Sequence, residues 1–405
     1  MTYPETLAYL QARLPMFHRV GKAAYKADLR TTEALMEALG HPEHGLRCVH
    51  VAGTNGKGST SHMLASILQH AGLRTGLTTS PHLTDFRERV RVNGAMIPQE
   101  DVVRFVEDHR AVFEPLAPSF FEWSIALAFD HFRQEQVDIA VVETGLGGRL
   151  DSTNVITPEV AVITTIGWDH ADLLGGTLEA IAAEKAGIIK SGIPVVIGEA
   201  EGSIDPLFRA RAGAVGAPLI RVDHQRPLPI RPDLAGPHQE RNARTVLTVV
   251  DLLRERGWPI SEEAVLLGLS SVVTTTGLRG RWQVLGRDPL VVADVAHNAD
   301  GLAVVRGMLD RTPHRRLHVV LGMVNDKDLG PALRQLPPDA RYHFCMADIP
   351  RGLDAELLAR AAADNGLHGR VHPSVRQAFV AACAEAAPDD LVLVTGSVFV
   401  VAEVL

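Results

Sequence analysis

The segment Val51-Ala52-Gly53-Thr54-Asn55-Gly56-Lys57-Gly58-Ser59-Thr60 limits what this chain can fold into more than any other stretch. An apolar run, Arg47 to Ala52, leads into it, and a helix-like run, Ser61 to Leu68, leaves it. Strand, glycine turn and helix are the opening unit of a parallel α/β sheet. The glycines let the backbone curl with its N–H groups inward, and the helix adds the positive end of its macrodipole. Such a loop holds phosphate. Lys57 reaches the β- and γ-phosphates as a point charge, and Ser59 or Thr60 offers a hydroxyl to phosphate or to a magnesium ion. The usual P-loop spacing, G-x-x-x-x-G-K-[ST], is not met: only Thr54 and Asn55 separate Gly53 from Gly56, and Gly58 stands between Lys57 and Ser59.

At 405 residues the chain exceeds one typical core, so two domains are expected. The 35 glycines suit many strand-to-helix turns, and a net charge of −8 argues against nucleic acid as a partner. Cys48, Cys345 and Cys383 are far apart and form neither a disulfide framework nor a zinc pattern; Cys48 and Cys345 sit in apolar runs and read as small buried hydrophobes. The N-terminus carries no basic segment followed by an apolar core, and no apolar run spans a bilayer. The expectation is a cytoplasmic protein with no membrane partner, and a monomer.

Helical spacing covers 5–14 and 31–39, with a loop over 21–26 between them. A strand is expected from Gly76 until Pro81 stops it, then an alternating run from Phe86 to Val92 and a hairpin turn at Asn93-Gly94. Helices over 99–113 and 121–135 precede a buried strand, Asp138 to Gly145, that ends in Glu143. Another strand, Val160 to Gly167, is followed by Trp168-Asp169-His170, a helix over 177–189, a strand over 194–198, a looser stretch from Pro227 to Pro237 and a helix over 239–256. Hydroxyls, glycines and arginines over 271–288 read as a linker. A second alternation follows, with strands at 290–295, 317–323, 342–347 and 391–396 and helices at 301–311, 354–364 and 374–386. The fold class is therefore α/β: a phosphate-binding domain on a mostly parallel sheet over 1–278, and a smaller α/β domain over 279–405. Ligands gather at the carboxyl ends of parallel strands, which is where Gly53, Ser80, Glu143 and His170 fall.

Glu143 is awkward at the end of an apolar strand unless it has a partner, and its glycine-rich sequel, Gly145 to Asn154, suggests close approach of a ligand. A carboxylate, a hydroxyl and substrate phosphates make a natural magnesium set. By spacing alone His170 reads as a structural histidine and Lys185 as a solvated helical lysine. Asp294 and His297 follow a strand and suit a site or an Asx-type turn about equally.

Taken together, these segments resemble the folylpolyglutamate synthase/dihydrofolate synthase family within the Mur ligase superfamily. The resemblance rests on His50 to Ser59, Ser80-Pro81-His82-Leu83, Glu143 to Asp151, Ile163 to His170, Glu184 to Ile188, Gly280-Arg281-Trp282, Asp294 to Asn298 and Thr395-Gly396-Ser397, in the family's order across nearly the whole chain. It implies a P-loop ATPase domain, a Rossmann-like C-terminal domain and an active site in the cleft between them. It assigns Thr54, Asn55, Gly56, Lys57, Gly58 and Ser59 to ATP, and Ser80, Glu143 and His170 to magnesium. Lys185 matches a lysine that is carbamylated and ligates a second magnesium ion. Asn242, Arg281 and Asp294 match residues holding ATP across the cleft, and Phe121, Glu122, Leu150, Asp151 and Ser152 match segments near the pterin-bearing substrate. His297 enters from the second domain. Lys57, Lys185, His170 and Arg281 are the expected catalytic groups. Where the family commonly has proline and histidine after the His-Asn pair, this chain has Ala299 and Asp300, and Trp168 replaces a smaller aliphatic and is read as packing.

The reaction so implied is ATP-dependent amide formation between L-glutamate and a folate or dihydropteroate carboxylate. The carboxylate is first converted to an acyl phosphate, and ADP and phosphate are released. Two alternatives stand beside it: a peptidoglycan amino-acid ligase of the Mur type, disfavoured because only about fifty residues precede the loop, and a nucleotide-dependent regulator or simple kinase, which gives no reason for the second-domain motifs.

Overall fold

The computed structural model describes residues 1–16, 26, 28–200, 202–325 and 329–405. Of the loop expected over 21–26, all but Lys26 lies outside the described residues. The first sheet has the order β4-β3-β2-β5-β1-β6-β7-β8, with β1 (Cys48–Ala52), β2 (Thr75–Thr78), β3 (Val90–Val92), β4 (Ala95–Met96), β5 (Ile139–Glu143), β6 (Val160–Ile163), β7 (Val195–Ile197) and β8 (Leu219–Arg221). Neighbours pair in parallel except at β2–β3 and β3–β4. The antiparallel edge turns at Asn93-Gly94, both at positive φ (47° and 76°), as an Asn-Gly hairpin requires.

Helices α1 (Tyr3–Arg13), α2 (Arg30–Ala38), α3 (Lys57–His70), α4 (Gln99–Phe113), α5 (Phe120–Gln134), α6 (Ala171–Leu174), α7 (Leu178–Ala186), α8 (Ile204–Ala214), α9 (Pro237–Glu255), α10 (Glu262–Ser270) and α11 (Val272–Thr276) clothe this sheet. Strand side chains alternate between its faces. Val49, Val51, Ile139 and Val141 pack with α3, α9 and α10, whereas Cys48, Ala140 and Val142 pack with α1, α2, α4 and α5. By the same alternation Glu143 follows Val141 onto the α3 face, opposite Val51 in the register. The sheet itself therefore aims that carboxylate at the start of α3.

The second sheet has the order β13-β12-β11-β14-β10-β9, built from β9 (Gln283–Arg287), β10 (Leu290–Ala293), β11 (Leu317–Leu321), β12 (Arg341–Phe344), β13 (Gly369–Val371) and β14 (Leu391–Thr395). Among the described residues the strands of this sheet pair in parallel except β9, which runs antiparallel on β10. Helices α12 (Ala299–Leu309), α13 (Leu329–Leu333), α14 (Ala355–Ala363), α15 (Val375–Glu385) and α16 (Val398–Ala402) cover it.

Several expectations are corrected. Residues 271–288 are not all linker, because α11 and β9 lie within them and the irregular part is 277–282. The strand expected from Gly76 to Pro81 ends at Thr78, and of the alternating run Phe86 to Val92 the first part, Phe86–Arg89, is a turn of 3-10 helix while Val90–Val92 is strand. Trp168 is half exposed, so its ring does not serve as core packing. Cys48 and Cys345 are fully buried, as their apolar surroundings implied. Among the described residues no helix is long and apolar enough to cross a membrane.

Candidate active site

At the carboxyl ends of β1, β2, β5 and β6, roofed by the second domain, lies a cavity of about 670 Å³. Every site residue expected from the sequence lines it: Thr54 to Ser59, Ser80, Phe121, Glu122, Glu143, Leu150, Asp151, Ser152, His170, Lys185, Asn242, Arg281, Asp294 and His297. They come from both sheets, so the cavity is a product of tertiary structure.

The phosphate loop is fixed to the end of β6. Thr54 N–H donates to the Thr165 carbonyl at 2.8 Å, Asn55 N–H to Thr165 Oγ1 at 3.0 Å, and Thr164 Oγ1 to the Asn55 carbonyl at 2.7 Å. Gly56 caps α3 at φ 85°, with no side chain to occupy the first amides. The N–H groups of the first turn have no acceptor inside a helix and stay available to an anion. Lys57 Nζ meanwhile donates to the Gly53 and Thr54 carbonyls at 3.0 and 3.1 Å, which holds its charge over the loop.

Glu143 is 5% exposed and accepts the Ser80 N–H at 3.1 Å. Burial pushes its carboxyl above the usual range, while Lys57, that N–H and Arg281 act in the opposite sense. A buried carboxylate flanked by a serine and the phosphate loop suits a hard divalent cation, which takes oxygen ligands beside phosphates. Lys185, on α7, is 5% exposed and donates to the Gly53 carbonyl at 2.8 Å. Its ammonium is pushed down to about 7 by burial first and by the neighbouring Lys57 charge second. Spacing alone makes this a solvated lysine; the fold turns it inward.

Other expected residues have structural work of their own. Asp151 caps the turn at Ser152–Val155 and receives the N–H groups of Leu146 (2.7 Å) and Thr153 (3.0 Å), so it shapes the glycine loop. Glu122 closes a capping box with Ser119 at the start of α5 and pairs with Lys26 at 3.0 Å. Asn242 donates to Gln239 Oε1 at 3.0 Å. Asp294 receives Trp282 N–H at 2.8 Å and Ala296 N–H at 2.9 Å, so the Asx-type turn is present inside the site.

The two domains are joined by Asn55 and His297, both expected from the sequence, together with Asp169 and Asn298, which were not singled out as site residues. Asp169 Oδ2 receives His297 Nε2 at 3.2 Å and Asn298 Nδ2 at 3.3 Å. Asn298 and Asn55 pair through both amides, at 3.1 and 3.3 Å, while Asn298 Oδ1 also caps α12. Asp300 Oδ2 lies against Gly167, close enough that a Cβ there would meet it at 2.0 Å. Within the first domain, buried Arg89, which was not singled out either, donates to His82 Nδ1 at 2.7 Å and stacks over Phe120. Asp169 and Asn298 each follow a strand end and lie within the stretches Ile163 to His170 and Asp294 to Asn298 that carry the family resemblance, and those were the signals for them.

Residues 51–201 match the Mur ligase middle domain and residues 280–398 the Mur ligase glutamate ligase domain. The chain is 35% identical to the dihydrofolate synthase/folylpolyglutamate synthase of Bacillus subtilis, with 98% of each covered. It is 36% identical to a probable bifunctional folylpolyglutamate synthase/dihydropteroate synthase of Haloferax volcanii, of which it spans about half (48%) while 93% of this chain is covered. Its fold superposes on Escherichia coli FolC in complex with DHPP and ADP with a TM-score of 0.88 at 33% identity, covering 100% of this chain and 97% of that one. A Yersinia pestis bifunctional folylpolyglutamate synthase/dihydrofolate synthase complexed with AMPPNP and Mn ion gives a TM-score of 0.85 at 31% identity, with coverages of 100% and 97%. The chain belongs to the folylpolyglutamate synthase/dihydrofolate synthase family of the Mur ligases.

Proposed function

We propose that this chain joins L-glutamate in amide linkage to a pterin-bearing carboxylate, dihydropteroate or a reduced folate, at the expense of ATP. The observation that carries this reading is the convergence of Lys57, Glu143 and Lys185 from the first domain with Arg281 from the second on one cavity. A free carboxylate is a poor acylating agent. Its oxygen attacks the γ-phosphorus of ATP, the bond to the β-phosphate breaks, and ADP leaves. The amine of glutamate then attacks the acyl carbon, phosphate departs, and the amine proton goes to solvent or a nearby base.

Two anions must meet in the first step, so the demand is electrostatic. Lys57 and the first-turn amides of α3 hold the β- and γ-phosphates, and Arg281 faces them from the second domain, its guanidinium beside Gly58. Asn242 and Asp294 position the nucleotide from α9 and from the end of β10. Ser80, Glu143 and His170 would hold a magnesium ion, which when bound neutralises phosphate charge. Phe121, Glu122, Leu150, Asp151 and Ser152 border the acceptor's end of the cavity. His297, tied to Asp169, is the second domain's contact. Residues 1–278 act as the ATP-binding unit and 279–405 as its closing partner, which shields the acyl phosphate from water.

Lys185 is suited to carbamylation. An amine held near pKa 7 is neutral in a large fraction of molecules at physiological pH. It can attack carbon dioxide and lose a proton, leaving a carbamate that supplies a second anionic ligand for a magnesium ion. Bicarbonate-dependent ADP release, with the mass of a carbamate on Lys185, tests this; activity indifferent to bicarbonate and an unmodified lysine would overturn it. The reaction itself is tested by glutamate-dependent ADP release with dihydropteroate and with tetrahydrofolate as acceptors.

A further inference from the structure

The turn between α2 and β1, at the opposite end of β1 from the phosphate loop, carries His41-Pro42-Glu43-His44. Glu43 is buried, its side chain 6% exposed, while the side chains of His41 and His44 are 44% and 73% exposed. One carboxylate oxygen, Oε1, lies 2.9 Å from His41 Nδ1 and 3.5 Å from His44 Nε2. The other, Oε2, is buried with no hydrogen-bond partner among the described residues. No lysine or arginine among the described residues pairs with Glu43. A buried carboxylate with an orphaned oxygen is costly unless a cation or a donor meets it.

We infer that His41, Glu43 and His44 form a binding site for a late first-row divalent cation, Zn2+ foremost. One ligand atom from each of the three residues lies within 4.8 Å of the others. At metal–ligand lengths of roughly 2.0–2.1 Å, separations of 2.9 and 3.5 Å subtend angles of roughly 90° and 120°, inside the range of a distorted tetrahedron. The two imidazole rings stack at 4.4 Å, 10° from parallel, so their in-plane lone pairs do not converge as they stand, and shared ligation requires the exposed His44 ring to turn out of the stack. Backbone bonds hold the turn: His41 N–H to Met36 O at 2.8 Å and His44 N–H to His41 O at 3.1 Å. Two neutral imidazoles and one carboxylate favour zinc, copper or nickel over magnesium. The exposed histidines leave room for water in the remaining position. A metal there pins the end of α2 to the start of β1, where it adds stability without touching the chemistry.

A second cluster, His318, His343 and Glu385, has similar spacing, but there Glu385 is already engaged by Arg370 at 2.6 Å and approached by Arg341 at 4.0 Å. Those cations oppose a dication, which is why the His41 turn is the favoured site.

The experiment uses the full chain with excess Mg2+ and ADP, so that the active-site ligands are occupied, and compares wild type with His41→Ala/His44→Ala, Glu43→Gln and His343→Gln. Zn2+ retained after desalting, the visible spectrum with Co2+ and the thermal midpoint with and without Zn2+ are read for each. The inference predicts that wild type and His343→Gln retain one more zinc per chain than the other two variants. It also predicts a tetrahedral Co2+ spectrum and a zinc-dependent rise in midpoint only where the turn is intact, with ADP release, assayed separately without added ADP, unchanged throughout. Equal zinc content and equal spectra in all four proteins would overturn it, as would loss of the extra zinc only in His343→Gln.

Discussion

Lys57, Glu143 and Lys185 show how strongly one residue's role depends on its surroundings. Lys57 is bound back onto its own loop by the Gly53 and Thr54 carbonyls, so its ammonium is placed before any phosphate arrives. Lys57→Ala is expected to lower glutamate-dependent ADP release by about a hundredfold or more while the circular dichroism stays native; retained turnover would contradict its role. Lys185 makes a pH prediction. Its folded pKa of about 7 lies below the ordinary 10.5, so from pH 7 to 10.5 the unfolded chain holds a proton that the folded chain has lost. Stability against urea in carbonate-free buffer should therefore rise with pH across that window, and Lys185→Met should flatten the rise. An unchanged slope in the variant would count against the buried lysine. Nothing local in Glu184-Lys185-Ala186 announces this burial, because it comes from α7 packing against the phosphate loop 132 residues away. Glu143 was legible in the sequence, since a carboxylate that closes a fully apolar strand is costly unless a cation or a donor meets it.

Among the elements, the strand-loop-helix unit at β1 and α3 was legible almost in full, because apolar run, glycine turn and helical spacing agree with one another. The compressed loop has a physical reason: a Cβ on Gly56 would sit 2.6 Å from Asn242 Oδ1, so the extra closeness lets α9 reach the nucleotide side of the loop. Gly56→Ala should raise KM for ATP by about tenfold and cost roughly 1–3 kcal/mol of stability, from the strain of φ 85° and the displaced amide. A variant with wild-type KM would contradict that placement. Elements that the sequence hid lack a clean period. In α10, Leu266 and Leu267 are exposed at 39% and 47%, and Gly268 breaks the apolar pattern where the helix packs against Ile67 too closely for a Cβ. In β9 a short, half-exposed edge strand containing Gly286 reads as linker.

In the whole molecule, the two sheets meet through a small polar clasp: Asn55 and Asp169 on one side, His297 and Asn298 on the other. The pairing was invisible in the sequence because its members are up to 243 residues apart and each is an ordinary turn residue. Asn298→Ser keeps an oxygen to cap α12 but removes the amide that donates to Asn55 and Asp169. It should lower kcat/KM for ATP by about tenfold with little change in thermal midpoint, since a mutation that loosens positioning affects rate before stability. A large fall in midpoint with unchanged kinetics would make the clasp structural only. Whether the phosphate held by the loop activates a carboxylate for attack by glutamate is decided by ADP release from the full chain, measured with acceptor and glutamate added singly and together. Release that requires both is expected, with dihydropteroate or tetrahydrofolate serving as acceptor; ATP hydrolysis that proceeds equally with neither present would contradict carboxylate activation.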